Sequence, residues 1–378
     1  MSKPTICLAM IVKDEEQDIQ RCLDSVAPYI DYWVISDTGS SDNTIEKVKE
    51  VMDGHGIPGE LHEHDWKDFS TNRNYALELA RPHADMVWFM DADDNLEAFK
   101  EDIFEGFEMP KDLVWMNFRT DKGIFSRPTM VNSKSKAKYY GVLHEYLGFD
   151  YKDDSEKPEG VFLETAGIFA RSSPLKRNTT AKNKYANDAR IFEKDLKRDP
   201  GNTRNMYYLA QSYALSGQYR KALKQYEKRS KITDRGNDDE VFISLLRVAE
   251  LSQQLKEPQE KVIDAFVKAW EHTPSRIDPV LGLMELLIKS ERYLYAVTIG
   301  ETASRLANPS EAYTNVDMAD YRYWFPEMYS FAVYKLGSPE VAFMVVEKAL
   351  EQMEEGDFGY DKLIARKEQY KKACNIEE

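Results

Sequence analysis

Cysteine is scarce: Cys7, Cys22 and Cys374 are the only three in 378 residues. They form no disulfide framework and no zinc-type Cys/His spacing, so a reducing cytoplasm is expected, in a bacterial cell or, for a viral protein, in its host. Long apolar runs are missing as well. None approaches the roughly 20 residues that a membrane-spanning helix needs. The apolar run Ile6–Val12 passes directly into the charged "KDEE" with no small-residue cleavage site, so it reads as a first strand rather than a signal peptide. Positive charge is also in deficit, with 51 Lys and Arg against 66 Asp and Glu and a net charge of −15. That balance suits non-specific nucleic-acid binding poorly, because such binding depends on phosphate neutralisation. Two basic stretches, "SKSKAK" (133–138) and "RSSPLKRNTTAKNK" (171–184), read as solvated loops that could face an anionic substrate.

The length allows two or three domains, and the pattern changes partway along. Up to about residue 120, short apolar runs (Ile6–Val12, Tyr32–Ile35, Val87–Met90, Leu113–Phe118) alternate with helical periods. Ile19, Cys22, Leu23 and Val26 mark one helix face, Ile45, Val48 and Met52 another after Asp42, and Tyr75/Leu79 with Ala76/Ala80 a third after Ser70 or Thr71. Such alternation predicts an α/β unit with a mostly parallel central sheet. Past residue 185 the strand signals stop. "MYYLAQSYALSGQYRKALKQYEKR" (206–229) places Leu209, Ala210, Tyr213, Gly217, Ala222 and Tyr226 at tetratricopeptide spacing. Of the weaker copies, one ends on Ala269 and Pro274, one centres on Ala296, and one on Ala342 and Ala349. The expected domains are therefore 1–170, a connector at 171–185, and an all-α helical-repeat domain at 186–378.

Ligands of parallel sheets bind beyond the carboxyl ends of the strands. That rule sets "KDEE" (13–16), "SDTGSSDNT" (36–44) and "DADD" (91–94) along one rim. In "WFMDADDNLE", either the acids form a turn ending a strand, or Asp91 and Asp93, two residues apart on an extended chain, face one cation. A divalent ion held by one or two carboxylates and by phosphates is the usual arrangement for magnesium or manganese. Asp37 ends the second strand and could accept from a base or ribose. Arg73 carries a fork of donors suited to phosphate. Trp66 and Trp115 are expected in the core or a pocket wall rather than as sugar-stacking platforms.

"ICLAMIVKDEEQDIQRCLDSV", "WVISDTGSSDNT", "HDWKDFSTNRNYALELA" and "VWFMDADDNLE", in that order, resemble a family 2 glycosyltransferase over about residues 4–150. "FSRPTMVNSKSKAKYYGVLHEYL" (125–147) resembles a subgroup in which an Arg-bearing strand precedes G-x-x-HE and a tetratricopeptide-like tail follows. The resemblance implies a GT-A nucleotide-sugar-binding fold. It assigns Asp91 and Asp93 to ribose and to a metal on the diphosphate, with Mn2+ or Mg2+ as cofactor. It implies that Asp37 reads the base and ribose, although Thr38 stands where a second Asp often stands. Val12, Lys13 and Glu15 would wrap the nucleotide, Arg73 would lie near the diphosphate, and His144 of the HE pair would lie on the metal or diphosphate. Inverting transfer needs a base opposite the leaving group; Glu145 is preferred, with Asp94 second.

The expected function is metal-dependent inverting transfer of a sugar, from a UDP-linked or other nucleotide diphosphate donor, to an acceptor. That acceptor is a peptide, a glycan or lipid precursor, or a modified nucleic-acid base, with DNA disfavoured by charge. A nucleotidyltransferase is a second class, disfavoured because "KDEEQD" has no glycine where a triphosphate loop would be. A helical-repeat scaffold with an inactive nucleotide-binding domain is the third. The repeats suggest a protein acceptor or a homodimer.

Overall fold

The structure, a computed structural model, describes residues 3–120, 123–150, 157–170, 180–307 and 316–374. The chain divides into two compact units, Met1–Thr180 and Ala181–Glu378. Residues 171–179, most of the expected connector, lie outside the described residues.

The first unit carries strands β1 (Ile6–Val12), β2 (Tyr32–Asp37), β3 (Gly59–Glu63), β4 (Met86–Phe89), β5 (Asp94–Ala98), β6 (Leu113–Thr120), β7 (Gly123–Asn132), β8 (Ala137–Tyr140), β9 (Tyr146–Phe149) and β10 (Gly160–Ala170). Eight form one mostly parallel sheet in the order β3-β2-β1-β4-β7-β6-β10-β5, and β8 pairs with β9 in a separate hairpin. The β3-β2-β1-β4 end is parallel throughout. Antiparallel β7 separates β4 from β6, and β6 and β10 run parallel beside it. The central strands are buried on both faces, which explains their unbroken apolar runs.

Three helices complete the unit: α1 (Ile19–Val26), α2 (Thr44–His55) and α3 (Phe69–Ala80). Ile19, Cys22, Leu23 and Val26 of α1 are all fully buried against one sheet face, joining a core with Leu8, Met10, Val48, Met52 and Trp88. Each such side chain contributes about 1.5–3 kcal/mol on burial. The helix α3 covers the opposite face through Ala76, Leu77 and Ala80, packed with Cys7, Ala9, Val34, Val87 and Phe89. Its cap is Asp68 rather than Ser70 or Thr71, because the Asp68 carboxylate accepts from the Thr71 N–H at 2.8 Å.

The second unit holds ten α-helices among the described residues, beginning with α4 (Ala181–Arg198). The pair α5 (Thr203–Leu215) and α6 (Tyr219–Arg229) turns at Gly217, whose φ of +81° favours glycine. Ala210 and Ala222, both fully buried, let those helices approach closely. The pairs α7 (Asp238–Gln254) with α8 (Gln259–His272), α9 (Asp278–Lys289) with α10 (Tyr293–Leu306), and α11 (Phe325–Lys335) with α12 (Pro339–Leu350) repeat this plan, and α13 (Tyr360–Ala373) follows. Ala269, Ala296, Ala342 and Ala349 are buried in these pairs, as tetratricopeptide-like packing requires. No helix among the described residues is long and apolar enough to cross a membrane.

Candidate active site

The loops after β1 and β2 are fastened to each other. The Asp14 N–H donates to Ser40 Oγ at 2.9 Å, and Asp14 Oδ1 accepts from the Ser41 N–H at 2.7 Å. The Glu15 N–H donates to Thr44 Oγ1 at 2.7 Å and the Glu16 N–H to Asp42 at 3.1 Å. Asp14 holds a left-handed backbone (φ 52°), which costs a non-glycine residue about 1–2 kcal/mol and is kept only where its surroundings enforce it. The acidic "KDEE" segment thereby becomes one wall of a cleft of about 960 Å³ at the carboxyl ends of β1, β2 and β4.

A buried guanidinium closes the opposite wall. Arg73, one turn into α3, donates from Nε to Glu145 Oε1 at 2.9 Å and from Nη2 to Asp91 Oδ1 at 2.6 Å. Glu145 arrives from the turn between β8 and β9, and Asp91 from the end of β4. The other Asp91 oxygen accepts from Arg127 Nη2 at 3.3 Å, and the same nitrogen reaches Asp94 Oδ2 at 3.4 Å. Arg127 lies 3.9 Å from the centre of the Phe118 ring, which fixes its plane.

These contacts divide three neighbouring carboxyls. Burial pushes Asp91 upward, but Arg73 and Arg127 outweigh it and hold Asp91 well below the usual carboxylate range. Burial, then the charge of Asp91, raises Asp94 to about 7, with Arg127 offsetting only part. Burial and Asp91 also raise Asp93. Asp93 forms no salt bridge among the described residues, and it lines the cleft. Burial is the larger cause of both rises and the like charge of Asp91 the second.

Residues 7–177 match the family described as glycosyl transferase family 2. This domain belongs to that family. The SPbeta prophage-derived glycosyltransferase SunS of Bacillus subtilis (strain 168) is 24% identical over 257 residues, covering 64% of this chain and 57% of its own. A TPR repeat-containing protein of Synechococcus elongatus is 37% identical over 99 residues, or 25% of this chain and 23% of its own. The chain thus spans less than two thirds of the length of these curated relatives. Among solved structures, the MamA protein aligns with 52% of this chain and 90% of its own, at 16% identity and a TM-score of 0.35.

The family 2 domain brings Val12, Lys13, Glu15, Arg73, Asp91, Asp93 and Glu145 to one cleft. Three of the candidate site residues named from the sequence, Asp37, Asp94 and His144, are not among its lining. Asp37 is buried, and its carboxylate accepts from the Gly39 and Ser40 N–H groups at 2.8 and 2.9 Å, so it builds its own loop while Thr38 faces the cleft. Asp94 is buried beneath the cleft floor, its carboxylate turned to Arg127 and to the Asp91 N–H. His144 takes a left-handed backbone (φ 50°) in the same turn as Glu145, and its side chain is exposed. Arg127 had no expected role; its only signal in the sequence is the lone arginine of β7. Trp66 is 42% exposed and lines the cleft with Phe69, against which it packs edge-on at 4.8 Å.

Proposed function

We propose that the protein is a metal-dependent inverting glycosyltransferase. It would move a sugar from a nucleoside diphosphate donor, with UDP-sugars the first to test, to a nucleophile of its acceptor. The observation that carries this reading is the Arg73–Asp91–Glu145 cluster beside half-buried Asp93, at the strand ends of a family 2 domain. The SunS relative is itself described as a glycosyltransferase.

The cleft charge supports a cation. Asp14, Glu15, Glu16, Asp18, Asp42, Asp91, Asp93 and Glu145 line it, opposed by Lys13 and Arg73. A diphosphate entering so acidic a cleft needs added positive charge. Among the described residues no three His, Cys, Asp or Glu side chains converge as a closed metal cage requires. A magnesium or manganese ion serving a nucleotide needs fewer, since phosphates and water complete its shell. Asp93 fits that demand, because it lines the cleft and a cation would offset both the burial and the neighbouring Asp91 charge that disfavour its ionised form. Asp91 fits less well, with both oxygens already accepting from guanidinium groups. We therefore assign Asp93 to the ion and give Asp91 the role of holding Arg73; exposed His144 is not required. A bound ion would neutralise charge on the leaving diphosphate.

The chain's own residues carry the remaining steps. Val12, Lys13 and Glu15 wrap the nucleotide, and Arg73 donates to a diphosphate oxygen. The acceptor oxygen forms a bond to the anomeric carbon as the carbon–phosphate-oxygen bond breaks, and that electron pair leaves with the diphosphate. The acceptor proton passes to Glu145, which lines the cleft where Asp94 does not. Attack opposite the leaving group inverts the anomeric centre. The test is a nucleotide-sugar panel with manganese, read by release of free nucleotide. We expect metal-dependent release from at least one donor, and its loss in Asp93→Asn with the fold intact. Neither binding nor release of any nucleotide by the wild type would leave a helical-repeat scaffold as the better reading.

A further inference from the structure

A second cavity, of about 330 Å³, lies against the same wall of Arg73, Asp91 and Glu145, which line both spaces. Group transfer needs two molecules to meet at one point, and a wall shared by two cavities with a carboxylate in it supplies that point. The rest of the second cavity is built mainly from rings: Phe89, Trp115, Tyr139 and Tyr146. Trp115 is 38% exposed and Tyr146 45% exposed, so each presents ring surface to solvent.

Charge in the cavity is matched from within. Arg73 is paired with Asp91 and Glu145, and Arg127 with Asp91 and Asp94. Each described cation lining this cavity thus already has a carboxylate partner, so its charge favours an uncharged ligand over an anion. An apolar peptide side chain would cover the rings but leave the guanidinium and carboxylate floor without new partners, which is costly once water is excluded. A pyranose satisfies both parts, laying its C–H surface on the rings and directing its hydroxyls to the charged floor. From the shared wall, the ring walls and the matched charge, we propose that this cavity is an acceptor subsite for an uncharged sugar ring. The acceptor role rests on the transferase reading above; the sugar-binding property does not.

Saturation-transfer NMR on the full-length protein tests it. The probes are methyl glucoside, galactoside, mannoside and N-acetylglucosaminide, with a neutral apolar hexapeptide as competitor class. Saturation is expected at the ring C–H protons of at least one glycoside. Affinity should fall about tenfold or more in Trp115→Ala and recover in part in Trp115→Phe, with melting temperatures near wild type. No saturation of any glycoside, undiminished binding in Trp115→Ala, or binding of the hexapeptide alone would overturn the proposal. Calorimetry with nucleoside diphosphate and manganese separates the two readings. Nucleotide binding without glycoside binding sinks the subsite alone, whereas glycoside binding without nucleotide binding sinks the transferase reading and leaves a sugar pocket.

Discussion

Arg73 is nearly buried, and a guanidinium can remain there only with its donors filled. Asp91 and Glu145 take two of its five N–H donors, so the residue that would grip the diphosphate also links α3, the end of β4 and the β8–β9 turn. Arg73→Ala would remove the cation between the two carboxylates and leave Asp91 with Arg127 alone. A loss of about 3–5 kcal/mol is expected, read as a fall in the denaturation midpoint, together with loss of nucleotide binding. A variant as stable as wild type would show that this ion cluster holds nothing together. Glu145→Gln keeps an oxygen for the Arg73 N–H but has no carboxylate to take a proton. Nucleotide-sugar binding should stay near normal while turnover falls by about 100-fold or more; unchanged turnover would move the base elsewhere. That Arg73, Asp91, Asp93 and Glu145 line one cleft was legible in the sequence because their motifs fall at strand and helix ends. Asp37 lies outside the cleft lining because an aspartate beside Gly39 and Ser40 can satisfy itself on its own loop, which spacing alone does not report. His144 lies outside the cleft lining, in a turn where its backbone is left-handed, and residue spacing does not report such a turn.

At the scale of elements, the site depends on a hairpin that belongs to no larger sheet. The β8–β9 ribbon is two-stranded, and such ribbons are marginal in water without outside support. Asn74 supplies some of it, since its side-chain amide donates to the Tyr139 carbonyl and accepts from the Tyr139 N–H, both at 2.8 Å. It thus imitates a neighbouring strand, while Tyr139 packs edge-on against Phe89 at 5.0 Å. Asn74→Ala should cost about 1–3 kcal/mol by leaving buried backbone groups unpaired. Hydrogen exchange should quicken at residues 137–149 more than in β1 or β4, and turnover should fall as Glu145 loosens; uniform exchange throughout would refute the anchoring role. Strands of the parallel half were legible from apolar runs, whereas β3, "GELHE", was not. It is an edge strand with little fully buried surface, so burial left no alternation to read. The insertion of antiparallel β7 between β4 and β6 is a matter of long-range pairing that periodicity does not encode.

On the scale of the whole molecule, five hydrophobic clusters among the described residues each stay within one unit. The clusters around Trp88 and around Ala76 belong to the first, and those around Val346, Val280 and Ala332 to the second. Units with separate cores should unfold separately, so calorimetry should resolve two transitions. Asp320, in the π-helical turn Asp320–Trp324 before α11, offers a handle on one of them. Burial, then the charges of Asp278 and Asp317, raise its pKa to about 6. Between about pH 4 and 6 the folded state holds a proton that the unfolded chain has released, so this group lowers stability as pH rises through that window. Above it the cost is fully present, and below it absent. Asp320→Asn should therefore raise the helical transition at pH 8 by an amount on the order of 1 kcal/mol, discounted because the group is only half-buried. The gain should vanish near pH 4, and the transition of the sheet unit should not move at either pH. A single transition, or a shift of both together, would mean that the two units fold as one.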